Sequence, residues 1–119
     1  GDVMEKLATI VTVGNLECIY IQLVPLFPNC EFMCMSYNQL YNQLCDRNIH
    51  TLLLEWGEEE VGLYRLMLLK RLNPKLNIIM INTCLYPIRR AMFRGACAVM
   101  DHPVSFEEIQ ELIGSLIDG

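Results

Sequence analysis

A carboxylate, an amide, a hydroxyl and an imidazole stand where side chains of this protein could meet and do chemistry: Glu55, Asn82, Thr83 and His102. Each closely follows a short apolar run: TLLL before Glu55, NIIMI before Asn82 and Thr83, and ACAVM shortly before His102. Gly14 and Asn15 follow a further run, LATIVTV. Within such a group a Glu55–His102 contact would respond to pH. The group falls short of the common catalytic constellations. No paired carboxylates, no Ser/His/Asp set and no phosphate-cradling P-loop are present. The segment GNLEC lacks the Thr, Ser and Gly richness of a flavin-phosphate loop. An enzyme is the least favoured class, and neither a cofactor nor a metal is expected.

The elements that must position these residues are bounded by composition. A length of 119 residues suits one domain, taken as 1–119, with a real core. At 53% hydrophobic residues the chain is not disordered, yet no apolar run approaches the roughly 18 residues of a membrane span. No secretory leader pattern is visible, so a soluble cytoplasmic domain is expected. A net charge of −5 disfavours direct nucleic-acid binding. The six cysteines contain no C-x-x-C and lack ligand spacing with His50 or His102, so buried free thiols are expected, without disulfide or metal.

Apolar runs predict strands over 7–13, 32–35, 51–54, 78–81 and 98–100. Helices are predicted from Leu16 to near Pro25, over 37–47, 61–72 and 87–94, and after Ser105. Asn15, Ser36 and Ser105 are the expected N-caps, with Ser105 and Glu108 forming a capping box. Glu55, Trp56 and Gly57 are read as an exit loop. Strict strand–helix alternation implies a parallel sheet covered on both faces, with ligands beyond the carboxyl ends of its strands. Gly14, Asn15, Glu55, Asn82, Thr83 and His102 should gather at that edge.

The segments HTLLLEW, NPKLNIIMINT and RGACAVMDHPVS, in this order, resemble the closing half of a bacterial response-regulator receiver domain. The resemblance spans nearly the whole chain and is best from His50 onward. It implies a three-layer flavodoxin-like (CheY-like) α/β fold with a five-stranded parallel sheet. It also implies a phosphoacceptor pocket in degenerate form. Glu55 stands where the phosphorylated aspartate is usual, and Gly14 and Asn15 where two acids usually hold magnesium. Asn82 and Thr83 stand in for the usual threonine or serine and the small residue after it, and His102 for a lysine.

Magnesium prefers near-octahedral oxygen ligands, including one or two carboxylates. Gly14 offers no side chain and Asn15 no charge. Glutamate carries its oxygen about 1 Å beyond the aspartate position, a misplacement that can cost about a hundredfold in rate. The expectation is a phosphorylation-independent receiver, with Glu55 as a fixed negative charge. The alternatives are a working phosphoacceptor receiver of a two-component system and a stand-alone adaptor.

Binding is the remaining task. Seven of the nine Lys and Arg residues lie between Arg65 and Arg94, an interval without acids. Receivers of the OmpR/PhoB class pair through their fourth helix, fifth strand and fifth helix. The resemblance therefore offers Arg89, Arg90 and Arg94 against Asp101, Glu107, Glu108 and Glu111 of a second copy, a homodimer. A rival apolar surface is the first helix, through Ile21 and Val24. An attached DNA-binding or ATPase output domain is the expected partner.

Overall fold

The computed structural model describes residues 6–44 and 48–119. The elements run β1 (Thr9–Val13), α1 (Glu17–Leu23), a 3-10 turn (Val24–Leu26), β2 (Glu31–Met35), α2 (Tyr37–Gln43) and β3 (Thr51–Glu55). Then follow α3 (Glu59–Leu72), β4 (Asn77–Asn82), α4 (Ile88–Phe93), β5 (Ala98–Asp101) and α5 (Phe106–Asp118). The five strands form one parallel sheet in the order β2-β1-β3-β4-β5. This is the expected three-layer flavodoxin-like α/β architecture.

The central strands read as unbroken apolar runs because both of their faces are covered. In β3, Leu52 and Leu54 pack with Val11, Val13, Ile78 and Met80 against Leu40 of α2, Leu63, Leu66 and Leu69 of α3, and Ala91 of α4. Leu53 turns the other way, to join Ile10, Ile79 and Ile81 under α1 and α5 through Leu16, Ile19, Leu23, Ile109 and Ile113. Each such fully buried side chain contributes about 1.5–3 kcal/mol. These two cores fix the sheet and therefore the positions of its carboxyl ends.

Local differences have local causes. Leu7 is exposed and precedes β1; its N–H bonds to Asn29 O instead of joining the ladder. Asn15 does not cap α1: the N-cap is Leu16, with no side-chain bond. Ser36 accepts from Gln39 N and the Gln39 side chain answers, a complete capping box. Ser105 accepts from Glu108 N, but the reciprocal glutamate bond is not made. Glu55 is no loop residue; it ends β3, paired with Ile81, and Trp56 N extends the ladder to Ile81 O. Glu59 and Glu60 open α3, where carboxylates face the positive end of the helix dipole. The predicted end of the second helix at Arg47, and Cys45, lie outside the described residues.

The five described cysteines are free, but only Cys30 is buried. Cys18, Cys34, Cys84 and Cys97 are exposed, which corrects the expectation of burial. Cys34 lies on β2, an edge strand of the sheet, near its carboxyl end.

Candidate functional site

At the carboxyl edge, β1 runs directly into Gly14, whose φ is +99°. A Cβ there would lie 2.7 Å from Glu55 Cβ and 3.0 Å from Glu55 Oε1. Glycine is thus required twice, for the backbone angle and for the space Glu55 occupies. The Glu55 side chain, half-buried, lies back over the β1 exit. No hydrogen bond or ion pair to its carboxylate forms among the described residues. Asn15 beside it is exposed.

Asn82 is fully buried and spends its side chain on its own loop. Its Oδ1 accepts from Tyr86 N at 3.0 Å, and its Nδ2 donates to Tyr86 O at 3.0 Å and Asp101 Oδ1 at 2.8 Å. Both amide hydrogens and the amide oxygen are therefore engaged. The Asn82 backbone carbonyl accepts from His102 N at 3.1 Å. The loop 83–87 is closed into a short clasp, with Leu85 at its tip at φ +57°. A leucine in the left-handed region is uncommon, and the paired ends of the loop hold it there.

Thr83 and His102 stand exposed at the rim. Thr83 Oγ1 lies 3.8 Å from Cys84 Sγ, and His102 precedes a cis peptide bond to Pro103. No ion pair joins His102 to Glu55 among the described residues. Of the six expected pocket residues, Gly14 and Glu55 touch and Asn15 adjoins Gly14. Asn82 is turned into its own clasp.

A second cluster was not foreseen. Trp56, 1% exposed, donates from Nε1 to Glu59 O at 3.1 Å and packs its ring 5.2 Å from Tyr86. Gly62 of α3 lies against it, and a Cβ there would collide with Trp56 Cδ1 and Trp56 O. Arg90 of α4 forks onto α3: Nη1 to Glu59 Oε1 at 2.7 Å and Nη2 to Glu60 Oε1 at 2.8 Å. Glu60, then Glu59, raise the pKa of Arg90 and hold it firmly cationic. The available signal was Gly62, since a glycine inside a helix pattern marks a close approach.

The expected interface residues divide. Arg89 and Arg94 are exposed without an ion pair among the described residues, and Glu107, Glu108 and Glu111 are exposed along the first turns of α5. Arg90 is committed to α3 and Asp101 to Asn82. Sequence reasoning passed over the apolar part of this surface. Phe93 is 90% exposed, with Leu85, Ile88 and Met92 also exposed nearby. A shallow hollow of about 570 Å³ is lined by Arg89, Arg90, Met92, Phe93 and Arg94.

The Gly14–Glu55 corner offers a divalent cation a single carboxylate, and the described residues contain no group of three His, Cys, Asp or Glu side chains able to hold a metal.

No family model matches the sequence, and no curated protein matches it. Solved structures do match the fold. The signal receiver domain of a DNA-binding response regulator from Colwellia psychrerythraea superposes with TM-score 0.82 at 15% identity, covering 94% of this chain and 99% of that one. A pilus assembly-related protein from Burkholderia pseudomallei gives TM-score 0.76 at 13% identity, covering 99% and 95%. NtrX from Brucella abortus gives 0.76 at 18%, covering 93% of this chain and 27% of that one. With the strand order, the parallel register and the helices on both faces, these likenesses give the chain the fold of a response-regulator receiver domain.

Proposed function

We propose that this protein is a phosphorylation-independent receiver-like domain that works in signal transduction by binding other proteins. The observation that carries this reading is the engagement of Asn82. The residue at the place of the usual threonine or serine has both amide hydrogens and its amide oxygen committed to Tyr86 and Asp101. None is left to answer a phosphoryl group arriving at Glu55. The absence of carboxylates at Gly14 and Asn15 supports the same reading, because without a cation the phosphodonor's charge is not neutralised near a nucleophile. Incubation with acetyl phosphate and magnesium, followed by intact-mass spectrometry, tests it. No stoichiometric adduct is expected, and an adduct mapped to Glu55 refutes the reading.

The partner-binding face is α4 with β5 and α5. Arg89, Arg94 and the exposed Phe93 lie on one part, and Glu107, Glu108 and Glu111 on another, an arrangement that a two-fold axis can pair between copies. Exposed ion pairs are worth about 0–1 kcal/mol each and set orientation. The affinity must come from Phe93 and its apolar neighbours. Sedimentation of Phe93→Ala and Arg89→Glu tests this, with weaker self-association expected for both and more so for Phe93→Ala. Attachment to an output domain is part of the proposal. In NtrX, the part that matches this chain is about a quarter of a longer protein.

A further inference from the structure

The opposite edge of the sheet carries a second feature. At the amino ends of β1, β3 and β4 lies a cavity of about 400 Å³, within the usual size for a small-molecule site. Lys6, His50 and Lys75 line it together with the amides Asn48, Asn73 and Asn77, and no carboxylate does so among the described residues. Neither lysine forms an ion pair among the described residues.

The frame of this cavity is fixed by the strand starts. His50 N donates to Thr9 O at 2.9 Å, and Asn77 N to His50 O at 3.2 Å. Several side chains are oriented by their remaining bonds. Asn73 Oδ1 accepts from Lys75 N at 3.2 Å, which leaves its NH2 as a donor. Asn77 Nδ2 gives one hydrogen to His50 O at 3.1 Å and keeps the other. His50 Nδ1 is engaged with Thr51 Oγ1 at 2.7 Å, so only Nε2 remains for a ligand.

One objection is electrostatic. Helices run their carboxyl ends toward this edge, and those ends repel anions. Beyond the end of α3, Lys70 Nζ donates to the loop carbonyls Pro74 O at 2.7 Å and Leu76 O at 2.9 Å, which sets one cation close to that edge. Lys6 and Lys75 add two more positive charges at the cavity, with no ion pair among the described residues.

We propose that this amino-edge cavity binds a small phosphoryl-bearing anion. Several donors lining one cavity at the starts of three strands suit a tetrahedral oxyanion, with several oxygens to satisfy, better than a flat carboxylate. A net charge of −5 keeps anions off most of the surface, so occupancy depends on this local cluster and weakens with salt.

The test is an ¹⁵N NMR titration of the whole chain with pyrophosphate at fixed ionic strength, with malonate as the carboxylate arm. Saturable shifts are expected at Lys6, His50 and Lys75. Lys6→Gln and Lys75→Gln should each weaken binding about tenfold, the loss of one charge-assisted hydrogen bond. Both lysines are exposed, so these variants should fold. Failure to saturate, equal binding of malonate, or affinity indifferent to both lysine variants overturns the proposal.

Discussion

Two corners of the same sheet edge invest their polar groups differently. At the Gly14–Glu55 corner, a carboxylate is packed by shape against a glycine and has no partner among the described residues. At the Asn82–Trp56 corner, one set of bonds of 2.8 to 3.0 Å ties Asn82 to Tyr86 and Asp101, a second of 2.7 to 3.1 Å ties Trp56 and Arg90 to Glu59, and the Trp56–Tyr86 ring contact brings the two together. The first corner is poor in interactions, whereas the second is rich in them. Satisfied polar networks hold one arrangement, because each member loses its partner if another shifts. The fourth helix is thus fastened by the chain itself, without a ligand to fasten it.

This contrast predicts unequal costs on substitution. Asn82→Ala should be the most damaging, at about 3 kcal/mol in urea unfolding, because it removes the partners of Tyr86 N–H and C=O and leaves a cavity at a fully buried position. A loss below about 1 kcal/mol would show that the clasp is not holding the loop. Gly62→Ala follows at about 1–2 kcal/mol, since overpacking against Trp56 outweighs the roughly 1 kcal/mol of helix propensity gained. Arg90→Ala should cost less than either, its bridges being partly exposed. It should nevertheless raise amide exchange in α4, which would separate a local clamp from a global one.

Glu55→Gln should leave stability within about 0.5 kcal/mol, as a side chain without partners has little to lose. Tyr37→Phe is expected to be neutral or to stabilise by up to about 1 kcal/mol, since its hydroxyl is buried without a partner. Burial raises the Tyr37 pKa, ahead of the opposing effect of Arg65. The folded state therefore holds this proton more tightly than the unfolded one. The associated stability is present below the unfolded tyrosine pKa and is lost as pH rises through the folded value. Alkaline unfolding curves of wild type and Tyr37→Phe should therefore diverge in that range, with wild type losing stability that the variant keeps.

Most of the frame was legible because both faces of the central strands must be apolar. TLLL and NIIMI could be little else, and Pro87, Gly95 and Ser105 punctuated the helices between them. The site was less legible for the same physical reason that makes it interesting. Asn82 reads as a pocket residue until its partners are known, and Asp101 is 19 positions away. Arg90 reads as a free surface charge, yet its acceptor Glu59 lies 31 positions earlier. Long-range pairings of this sort leave no spacing in the sequence. The exposure of Cys18 and Cys34 was missed because an apolar neighbourhood along the chain does not say which face of an edge strand or outer helix a side chain takes.

The Burkholderia and Colwellia likenesses, at 13% and 15% identity, concern architecture, and the chemistry of this chain rests on its own residues. The most direct measurement is a titration of ¹⁵N-labelled protein with beryllofluoride and magnesium, a stable mimic of the phosphorylated state. A domain already fastened by Asn82 and Arg90, without a cation site at Gly14, shows no saturable shifts at Gly14, Glu55 or Asn82. Saturable shifts at those three residues, accompanied by movement of α4 resonances, contradict it.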